Sequence, residues 1–180
     1  MNIALTQREL SIRGWNYDCT SRDWYGFLSS HILSFIPNVK DFDFTKIDCL
    51  LITGGESTPN RDRVENFAVN LFLKENKPII GVCHGAFFLN SYFGGTNGTI
   101  EGHRGINHKI KLEDKTPYVA SYHSTSIETL AEDLEPIAWD LADNVEGFKH
   151  KTKNIWGLVW HPERMVNPVL PADLKEFLNE

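Results

Sequence analysis

The chain has 180 residues, of which 41% are hydrophobic and 23% charged, a composition typical of one globular domain spanning residues 1–180. Its 18 basic and 24 acidic residues give a formal net charge of −6, which argues against a nucleic-acid-binding protein because such proteins usually carry a basic excess. No apolar run reaches the roughly 20 residues that cross a bilayer, and the first residues lack the apolar core of a signal peptide. We therefore expect a cytoplasmic protein with neither a nucleic-acid nor a membrane partner.

The first half of the chain alternates short apolar segments with segments of helical periodicity. Continuous apolar runs are typical of buried parallel strands, and apolar residues at three- and four-residue steps are typical of helices. The predicted strands are Asn2–Thr6, Ile47–Thr53 and Pro78–Cys83, and the predicted helices are Arg22–Ile36, Arg61–Asn76 and Ala86–Phe93. This alternation predicts an open, mostly parallel α/β sheet with helices on both faces.

The second half of the chain has closely spaced strand patterns joined by short turns, so we expect the sheet to be mixed there. The predicted strands are Tyr118–His123, Glu135–Asp140, Val145–His150 and Asn154–Trp160. A final helix is predicted over Pro171–Leu178, and the stretch Thr96–Asn107, rich in glycine and histidine, is predicted to be an irregular loop near the functional site.

The three cysteines do not predict a disulfide framework, because their number is odd and no two lie close in sequence. Cys49 lies in the middle of a predicted strand and is expected in the core, whereas Cys19 has no predicted role. The histidines lack the spacing with aspartate or cysteine that a zinc site would show in sequence. The sequence therefore predicts neither a metal nor another cofactor.

Polar residues follow the carboxyl ends of all three predicted parallel strands. In open α/β sheets these ends form the crevice in which ligands bind. The residues expected in the crevice are Gln7 and Arg8 after the first strand, Gly54, Gly55, Glu56 and Ser57 after the second, and Cys83 and His84 after the third.

Cys83 lies where a predicted strand turns sharply into a predicted helix. The sequence Gly81-Val82-Cys83-His84-Gly85 has glycine two residues before and two residues after the cysteine, which allows a tight turn. A thiol at a helix N-terminus is favoured as thiolate, and the His84 amide could donate to an oxyanion. On these five residues alone, inert packing of the cysteine remains the alternative.

His161 is the candidate base for such a nucleophile, because it directly follows the predicted apolar strand that ends at Trp160. Glu163 lies two residues further on, and in an extended segment both side chains would point to the same face. A carboxylate there could orient the imidazole. The alternative is an ordinary turn at the end of a strand.

The chain resembles class I glutamine amidotransferase domains in three segments, which occur in the family's order and approximate spacing: ITGGESTP (52–59), PIIGVCHG (78–85) and GLVWHPER (157–164). A fourth segment, Tyr122-His123-Ser124, resembles a stretch that helps to hold glutamine in amidotransferases of aromatic and folate biosynthesis. The resemblance implies a flavodoxin-like sheet and a Cys–His–Glu triad.

By this resemblance Cys83 is the nucleophile, His161 is the general base and acid, and Glu163 orients the imidazole. The backbone amides of Gly55 and His84 would form the oxyanion hole. The implied reaction is cleavage of a γ-glutamyl amide through a γ-glutamyl thioester, with release of glutamate.

One position departs from the family pattern. Amidotransferases typically have glutamine four residues after the catalytic cysteine, where it helps to bind the glutamyl group, and here that residue is Phe87. Glu56 could bind the substrate's α-ammonium group instead, although an ordinary solvated loop carboxylate is an equally good interpretation.

Further segments of this chain are similar to two particular branches of the family. The ITGGE loop and His103-Arg104 resemble the γ-glutamyl hydrolase branch, in which the leaving nitrogen belongs to a larger group and not to ammonia. The segment ALTQRE (4–9), the small size and Phe87 resemble the γ-glutamyl-CDP-amidate hydrolases of capsular phosphoramidate biosynthesis.

A nucleotide-linked substrate would need cations near its phosphates, for which arginine is suited by its forked hydrogen bonds. The candidates are Arg8 and Arg104, whereas Arg61 and Arg63 are better explained as exposed charges at a helix start. Packing is likewise the preferred interpretation for the aromatic residues that could stack on a base, namely Trp15, Tyr17 and Trp24.

Three other functions remain open at this point. The first is a glutaminase subunit that delivers ammonia to a partner synthase, and the second is a binding module that has lost the chemistry. The third is a cysteine peptidase or chaperone-like relative, in which the histidine beside the nucleophile, here His84, acts as the base. The preferred prediction is a stand-alone hydrolase whose only expected partner is a small γ-glutamyl substrate.

Overall fold

The computed structural model describes residues 1–39 and 42–179, which form thirteen strands and four α-helices. The strands are β1 (Asn2–Thr6), β2 (Arg8–Ile12), β3 (Trp15–Cys19), β4 (Ile32–Ile36), β5 (Cys49–Ile52), β6 (Ile79–Val82), β7 (Thr96–Thr99), β8 (Arg104–Leu112), β9 (Tyr118–Tyr122), β10 (Thr125–Thr129), β11 (Leu134–Asp140), β12 (Val145–His150) and β13 (Ile155–Leu158). The helices are α1 (Asp23–Phe27), α2 (Pro59–Lys74), α3 (His84–Tyr92) and α4 (Ala172–Phe177).

Nine strands form one mixed sheet in the order β4-β1-β5-β6-β13-β12-β11-β8-β9. The strands from β4 to β13 are parallel, whereas β12, β11, β8 and β9 pair antiparallel. The predicted α/β class with a mixed C-terminal half is confirmed. Because β1, β5, β6 and β13 are parallel neighbours, the residues that follow them meet at one edge of the sheet.

Apolar side chains cover both faces of the central strand β5. Leu50 and Ile52 belong to the cluster that includes residues of α2 and α3, whereas Cys49 and Leu51 belong to the cluster that includes residues of α1 and α4. All four side chains are fully buried. Burial, with a smaller contribution from the charge of Asp48, raises the pKa of the Cys49 thiol, as expected of a core cysteine.

The predicted helix over Arg22–Ile36 is wrong in its second half. The helix is α1, which ends at Phe27, and the chain then turns into strand β4. This strand pairs in parallel with β1 along its whole length, from Asn2 opposite Ile32 to Thr6 opposite Ile36. The apolar spacing suits either structure, and the hydrogen-bonding edge of β1 decides in favour of a strand.

The predicted irregular loop over Thr96–Asn107 is also wrong, because most of it is strand. Its first residues form β7, which pairs antiparallel with β10, and its last residues begin β8. Both strand segments are mostly polar, and the residues of β8 within this stretch are all exposed, so they lack the apolar alternation that signals a strand.

A hairpin of β2 and β3 follows β1 and was not predicted. Its two-residue turn has Arg13 at φ 53° and Gly14 at φ 84°, the two positive values that a type I′ turn needs. The hairpin is anchored by polar contacts, since Asn38 donates to Asp18 (2.7 Å) and to the carbonyl of Gln7 (2.9 Å). Among the residues described, no helix is long and apolar enough to cross a membrane.

Candidate active site

Cys83 occupies the sharp turn between β6 and α3 that the sequence predicted. It has φ 53° and ψ −106°, an unusual conformation for a non-glycine residue, and its amide donates to the carbonyl of Leu158 at 2.8 Å. A Cβ atom on Gly85 would lie 2.2 Å from the carbonyl oxygen of Ile52, so this position accepts only glycine. The cysteine is 9% exposed.

His161 and Glu163 form a buried hydrogen-bonded pair beyond the end of β13. The Nδ1 of His161 donates to Oε1 of Glu163 at 2.7 Å, and both side chains are almost fully buried. The expected contact is present, but the backbone differs from the prediction, because residues Pro162–Arg164 form a 3-10 turn instead of an extended segment. The amide of His161 donates to the carbonyl of Ala120 at 2.9 Å, which fixes the histidine against β9.

Cys83 and His161 converge on Gly54, at the end of β5. A Cβ atom on Gly54 would lie 2.8 Å from Cε1 of His161 and 3.5 Å from Cβ of Cys83. A side chain at this position would therefore occupy the space that the imidazole needs, and three separate strand ends contribute to one cluster.

The pKa of His161 is raised to about 9. Burial by itself lowers this pKa, but hydrogen bonds to Cys83 and Glu163, and the negative charges of both groups, outweigh that effect. The imidazole is therefore protonated at neutral pH and carries a proton that it can transfer.

The prediction that Arg61 is an exposed charge at a helix start is wrong, because its side chain is fully buried. Its guanidinium donates to Glu65 (2.7 Å) and to the carbonyl of Thr53 (2.6 Å), and more weakly to the carbonyls of Gly54 and Glu56 (both 3.3 Å). It therefore holds the loop after β5 in place. The i, i+4 spacing of Arg61 and Glu65 on the apolar face of α2 was the available signal, whereas Arg63 is exposed as expected.

Glu65 connects this loop to the turn at Cys83. Its second oxygen accepts a hydrogen bond from Nε2 of His84 at 2.8 Å, and Thr6 donates to its first oxygen at 2.8 Å. Burial by itself raises the pKa of Glu65, but the contacts with His84 and Arg61 lower it by more, so the pKa is below its usual value. The His84 imidazole is thus bound toward α2.

The two backbone amides predicted for the oxyanion hole belong to Gly55, in the loop after β5, and to His84, at the start of α3. His84 is the first residue of α3, so its amide lies outside the internal hydrogen-bond ladder of the helix. Gly55 has φ 127°, and a Cβ atom there would lie 2.8 Å from Nη1 of Arg61 and 2.9 Å from Cβ of Arg8. Both the backbone conformation and the lack of space require glycine at this position.

A cavity of about 150 Å³ adjoins His161. It is lined by Arg8, Cys19, Thr20, Ser21, Trp24, Thr53, Gly54, His161, Glu163 and Arg164. Arg8 and Gly54 were predicted to face the crevice. The lining residues Cys19, Thr20 and Ser21 were missed because they lie at and just after the end of a hairpin that was not predicted.

The other crevice residues from the first two strand ends make local contacts. Gln7 donates to the hydroxyl of Thr20 at 3.2 Å, which supports the cavity wall. The hydroxyl of Ser57 donates to the carboxylate of Asp62 at 2.6 Å, and Glu56 is exposed. These side chains lie around the site without touching Cys83, and their substrate-binding roles stay predictions.

Tyr122 and Arg164 form the rim beside the His161–Glu163 pair. The Tyr122 ring packs edge-on against His161 at 5.7 Å between ring centroids, and the Arg164 guanidinium lies 4.4 Å above the same ring. Nε of Arg164 is 3.6 Å from Oε1 of Glu163. No role was predicted for Arg164, although it belongs to the GLVWHPER segment. Arg104 is exposed at the start of β8, opposite Tyr122 in the strand register.

His123 and Ser124 are placed differently from Tyr122. His123 is 5% exposed, its Nδ1 donates to the carbonyl of Thr125 at 2.8 Å, and its ring packs 5.8 Å from that of Phe87. Ser124 is exposed, and its carbonyl accepts from the amide of Ile100 at 3.0 Å. Phe87, the departure from the family pattern, is thus part of an apolar cluster that reaches His123.

The three aromatic residues considered for base stacking fall into two groups. Trp24 is 2% exposed and packs in the core, as preferred from the sequence. Trp15 is 72% exposed and Tyr17 is 48% exposed, and both lie on the hairpin that follows β1. These two aromatic side chains are available for contacts outside the chain.

Residues 29–180 of the chain match the family model for class I glutamine amidotransferases. The chain belongs to this family. A solved structure of a GMP synthase subunit from Thermoplasma acidophilum superimposes with a TM-score of 0.74 over 99% of this chain and 92% of the other, at 21% identity, so the fold is shared. The flavodoxin-like fold of the family is confirmed.

Two relatives with assigned names differ in what they do. A γ-glutamyl-CDP-amidate hydrolase of Campylobacter jejuni is 30% identical over 182 aligned positions, which cover 91% of this chain and 90% of the relative. The carbamoyl phosphate synthase small chain of Aquifex aeolicus is 33% identical over 67% of this chain, but this covers only 34% of that relative. The family therefore includes both a hydrolase and a synthase subunit among the relatives of this chain.

Proposed function

We propose that the chain is a cysteine hydrolase that cleaves a γ-glutamyl amide bond through a γ-glutamyl thioester. The observation that carries the proposal is the convergence of Cys83, His161 and Glu163 at the carboxyl ends of parallel strands, with His161 hydrogen-bonded to Glu163 at 2.7 Å. A thiol, an imidazole and an orienting carboxylate are the parts that covalent acyl transfer requires.

In the first step the Cys83 thiolate attacks the γ-carbonyl carbon, and a carbon–sulfur bond forms while negative charge moves to the oxygen. The amides of Gly55 and His84 donate to this oxyanion, and each such donor contributes about 3 kcal/mol to lowering the barrier. The His161 imidazolium then transfers its proton to the amide nitrogen as the carbon–nitrogen bond breaks.

In the second step neutral His161 removes a proton from water, which attacks the thioester carbon. Glutamate is released, and the thiolate and the imidazolium are restored. Glu163 stays ionised and holds Nδ1 of His161, so the other ring nitrogen exchanges the proton in both steps. His84 does not take this role in the proposal, because its Nε2 is occupied by Glu65 at 2.8 Å.

For the substrate we propose γ-glutamyl-CDP-amidate, with glutamate and cytidine diphosphoramidate as products, a reaction of capsule biosynthesis expected in the cytoplasm. Support comes from the name of the Campylobacter relative and from the 90% of its length that is aligned. The 150 Å³ cavity is smaller than the roughly 300–1,000 Å³ of pockets that enclose drug-sized ligands. A glutamyl group alone would fill a cavity of this size, so the nucleotide would extend outside it, toward an exposed cation such as Arg104.

The test compares release of glutamate from γ-glutamyl-CDP-amidate and from glutamine by the purified chain alone. We expect kcat/KM to be at least about tenfold higher for the nucleotide substrate. Cys83→Ala should abolish turnover, whereas Cys49→Ala, the same change at a fully buried core thiol, should retain it. Normal turnover by Cys83→Ala refutes the covalent mechanism, and preference for glutamine refutes the proposed substrate.

A second candidate is a glutaminase subunit that passes ammonia to a synthase. The carbamoyl phosphate synthase relative and the exposed side chains of Ile12, Trp15 and Tyr17 on one hairpin favour it, because exposed apolar patches mark docking surfaces. This candidate predicts slow glutamine hydrolysis by the chain alone and a large activation on adding the partner.

A further inference from the structure

A second cluster of titratable side chains lies outside the Cys83 site. Three histidines surround the carboxylate of Glu146, on β12: His103 directly before β8, His108 on β8, and His123 directly after β9. Their Nε2 atoms lie 3.6, 3.7 and 3.6 Å from the Glu146 oxygens, respectively. The four residues come from separate segments, which is why spacing along the sequence predicted no metal site.

The orientation of each imidazole defines which nitrogen carries a proton. The Nδ1 atoms of His103, His108 and His123 face the backbone carbonyls of residues 101, 109 and 125 at 3.1, 3.3 and 2.8 Å. A carbonyl oxygen only accepts, so each Nδ1 carries the hydrogen, and in the neutral His108 and His123 rings the Nε2 atom presents a lone pair toward Glu146, whereas Nε2 of His103 also lies within hydrogen-bond distance of Asp140. Metal-binding histidines usually have this arrangement, with the other ring nitrogen donating to a carbonyl or a carboxylate.

These lone pairs point at groups that are also acceptors. Within the described part of the chain, the Nε2 atoms of His108 and His123 and the Oε2 atom of Glu146 are buried without a hydrogen-bond partner. Glu146 is 1% exposed and His123 is 5% exposed. His103 also faces Asp140 at 3.2 Å, and that carboxylate already accepts from Asn144 at 2.7 Å. Buried acceptors that face one another are satisfied by a cation among them, either a proton on an imidazole or a metal ion.

The spacing of the acceptors fits a metal ion better than hydrogen bonds. The three nitrogen–oxygen distances of 3.6–3.7 Å exceed the usual hydrogen-bond range of about 2.7–3.2 Å. Zinc binds nitrogen and oxygen ligands at about 2.0–2.2 Å in a tetrahedron, whose ligand atoms are therefore about 3.4 Å apart. The ligand atoms of His103, His108 and Glu146 all lie within 4.8 Å of one another.

We propose that His103, His108 and Glu146, whose ligand atoms lie mutually close, bind a zinc ion, and that His123, 3.6 Å from Oε2 of Glu146, lines the site beside them. The ion would join the segments at the starts and ends of β8, β9 and β12. It is distinct from the Cys83 site, but the two are mechanically connected, because Tyr122 precedes His123 and packs against His161 at 5.7 Å. We expect the ion to stabilise this end of the sheet and to keep Tyr122 in place.

A second group that could hold a metal, Asp62, Glu65 and His84, carries no such proposal. Glu65 already binds the Arg61 guanidinium at 2.7 Å and His84 at 2.8 Å, so its charge is compensated within the chain. The cluster around Glu146 differs because its carboxylate has no arginine or lysine partner among the described residues.

The experiment measures zinc bound to the purified full chain after chelator treatment, reloading with one equivalent of zinc and gel filtration. We expect about one zinc ion per chain, a higher melting temperature, and, after loading with cobalt, the visible absorption of a four-coordinate ion without a sulfur charge-transfer band. Cys83→Ala should retain the metal, which separates this site from zinc binding by the Cys83–His161 pair.

Glu146→Gln and His108→Gln should bind zinc at least about tenfold more weakly than the unaltered chain, as measured by competition with a chromophoric chelator. Glu135→Gln and His150→Gln are matched controls outside the cluster and should bind as the unaltered chain does. A folded chain that binds no zinc overturns the proposal, as does unaltered affinity in Glu146→Gln and His108→Gln or loss of the metal in Cys83→Ala. These results do not depend on whether the proposed hydrolysis is correct.

Discussion

Gly54→Ala is the substitution that most directly tests how the sheet positions His161. The added methyl group would lie 2.8 Å from Cε1 of His161 and 3.7 Å from Nδ1. Carbon atoms in ordinary contact are about 3.5–4.0 Å apart, so the imidazole must move by about 0.7 Å or more. Gly54 does not have a positive φ, so its backbone can accept alanine and the fold should persist.

The expected loss of activity in Gly54→Ala can be estimated because the clash occurs at a reacting group, the His161 imidazole. A misplacement of about 1 Å in a catalytic group costs on the order of 100-fold in rate, which corresponds to about 2.7 kcal/mol of barrier. We expect kcat/KM to fall by roughly that factor, chiefly through kcat, because the displaced imidazole is the group that transfers the proton.

The assay is steady-state release of glutamate, with circular dichroism and urea unfolding as measurements of the fold. Gly26→Ala is the matched control, because a Cβ atom there has nothing within 4 Å. If Gly54→Ala keeps kcat/KM within about threefold of the unaltered chain while Gly26→Ala is also unaffected, the close approach of Gly54 to the imidazole does not control the reaction.

Two further predictions follow from charged groups. Because the pKa of His161 is raised to about 9, activity should decline above that pH as the imidazolium is lost. Glu163→Gln should move this decline to lower pH, because the Glu163 carboxylate raises the pKa of His161. An unchanged pH profile in Glu163→Gln would contradict this role of the carboxylate. Arg61→Met should lower the free energy of unfolding by about 3–5 kcal/mol, because it leaves Glu65 buried without its cation. Urea unfolding measures this loss, Arg63→Met at the exposed neighbouring position should change stability little, and equal stability of the two variants would show that the buried pair does not matter.

The parts of the site that could be predicted are those that follow directly from strand ends. Cys83 lies at a turn flanked by glycines, and His161 follows an apolar strand, so local sequence was enough to place both residues at one edge of the sheet. Their contact through Gly54 depends on β5, β6 and β13 being neighbours, as the parallel pairing of Ile52 with Gly81 and of Leu158 with Val82 makes them.

The parts that could not be predicted depend on contacts between distant segments. The apolar spacing of residues 32–36 fits a helix as well as a strand, and only the free edge of β1 makes it a strand. Arg61 lies in a polar segment typical of an exposed helix start. Its guanidinium is buried with Glu65 because the loop after β5 provides the carbonyls of Thr53 and Gly54 as hydrogen-bond acceptors.

By itself the sequence determined the α/β class, the existence of strands β1, β5, β6 and β13 and the residues at their carboxyl ends, because burial patterns and turn residues are local properties of the chain. The tertiary structure alone decided that Arg61 is buried, that a hairpin forms one wall of the cavity, and that three histidines surround Glu146. Those arrangements depend on how strands pair and curve in space, and side chains far apart in sequence meet only when that packing brings them together.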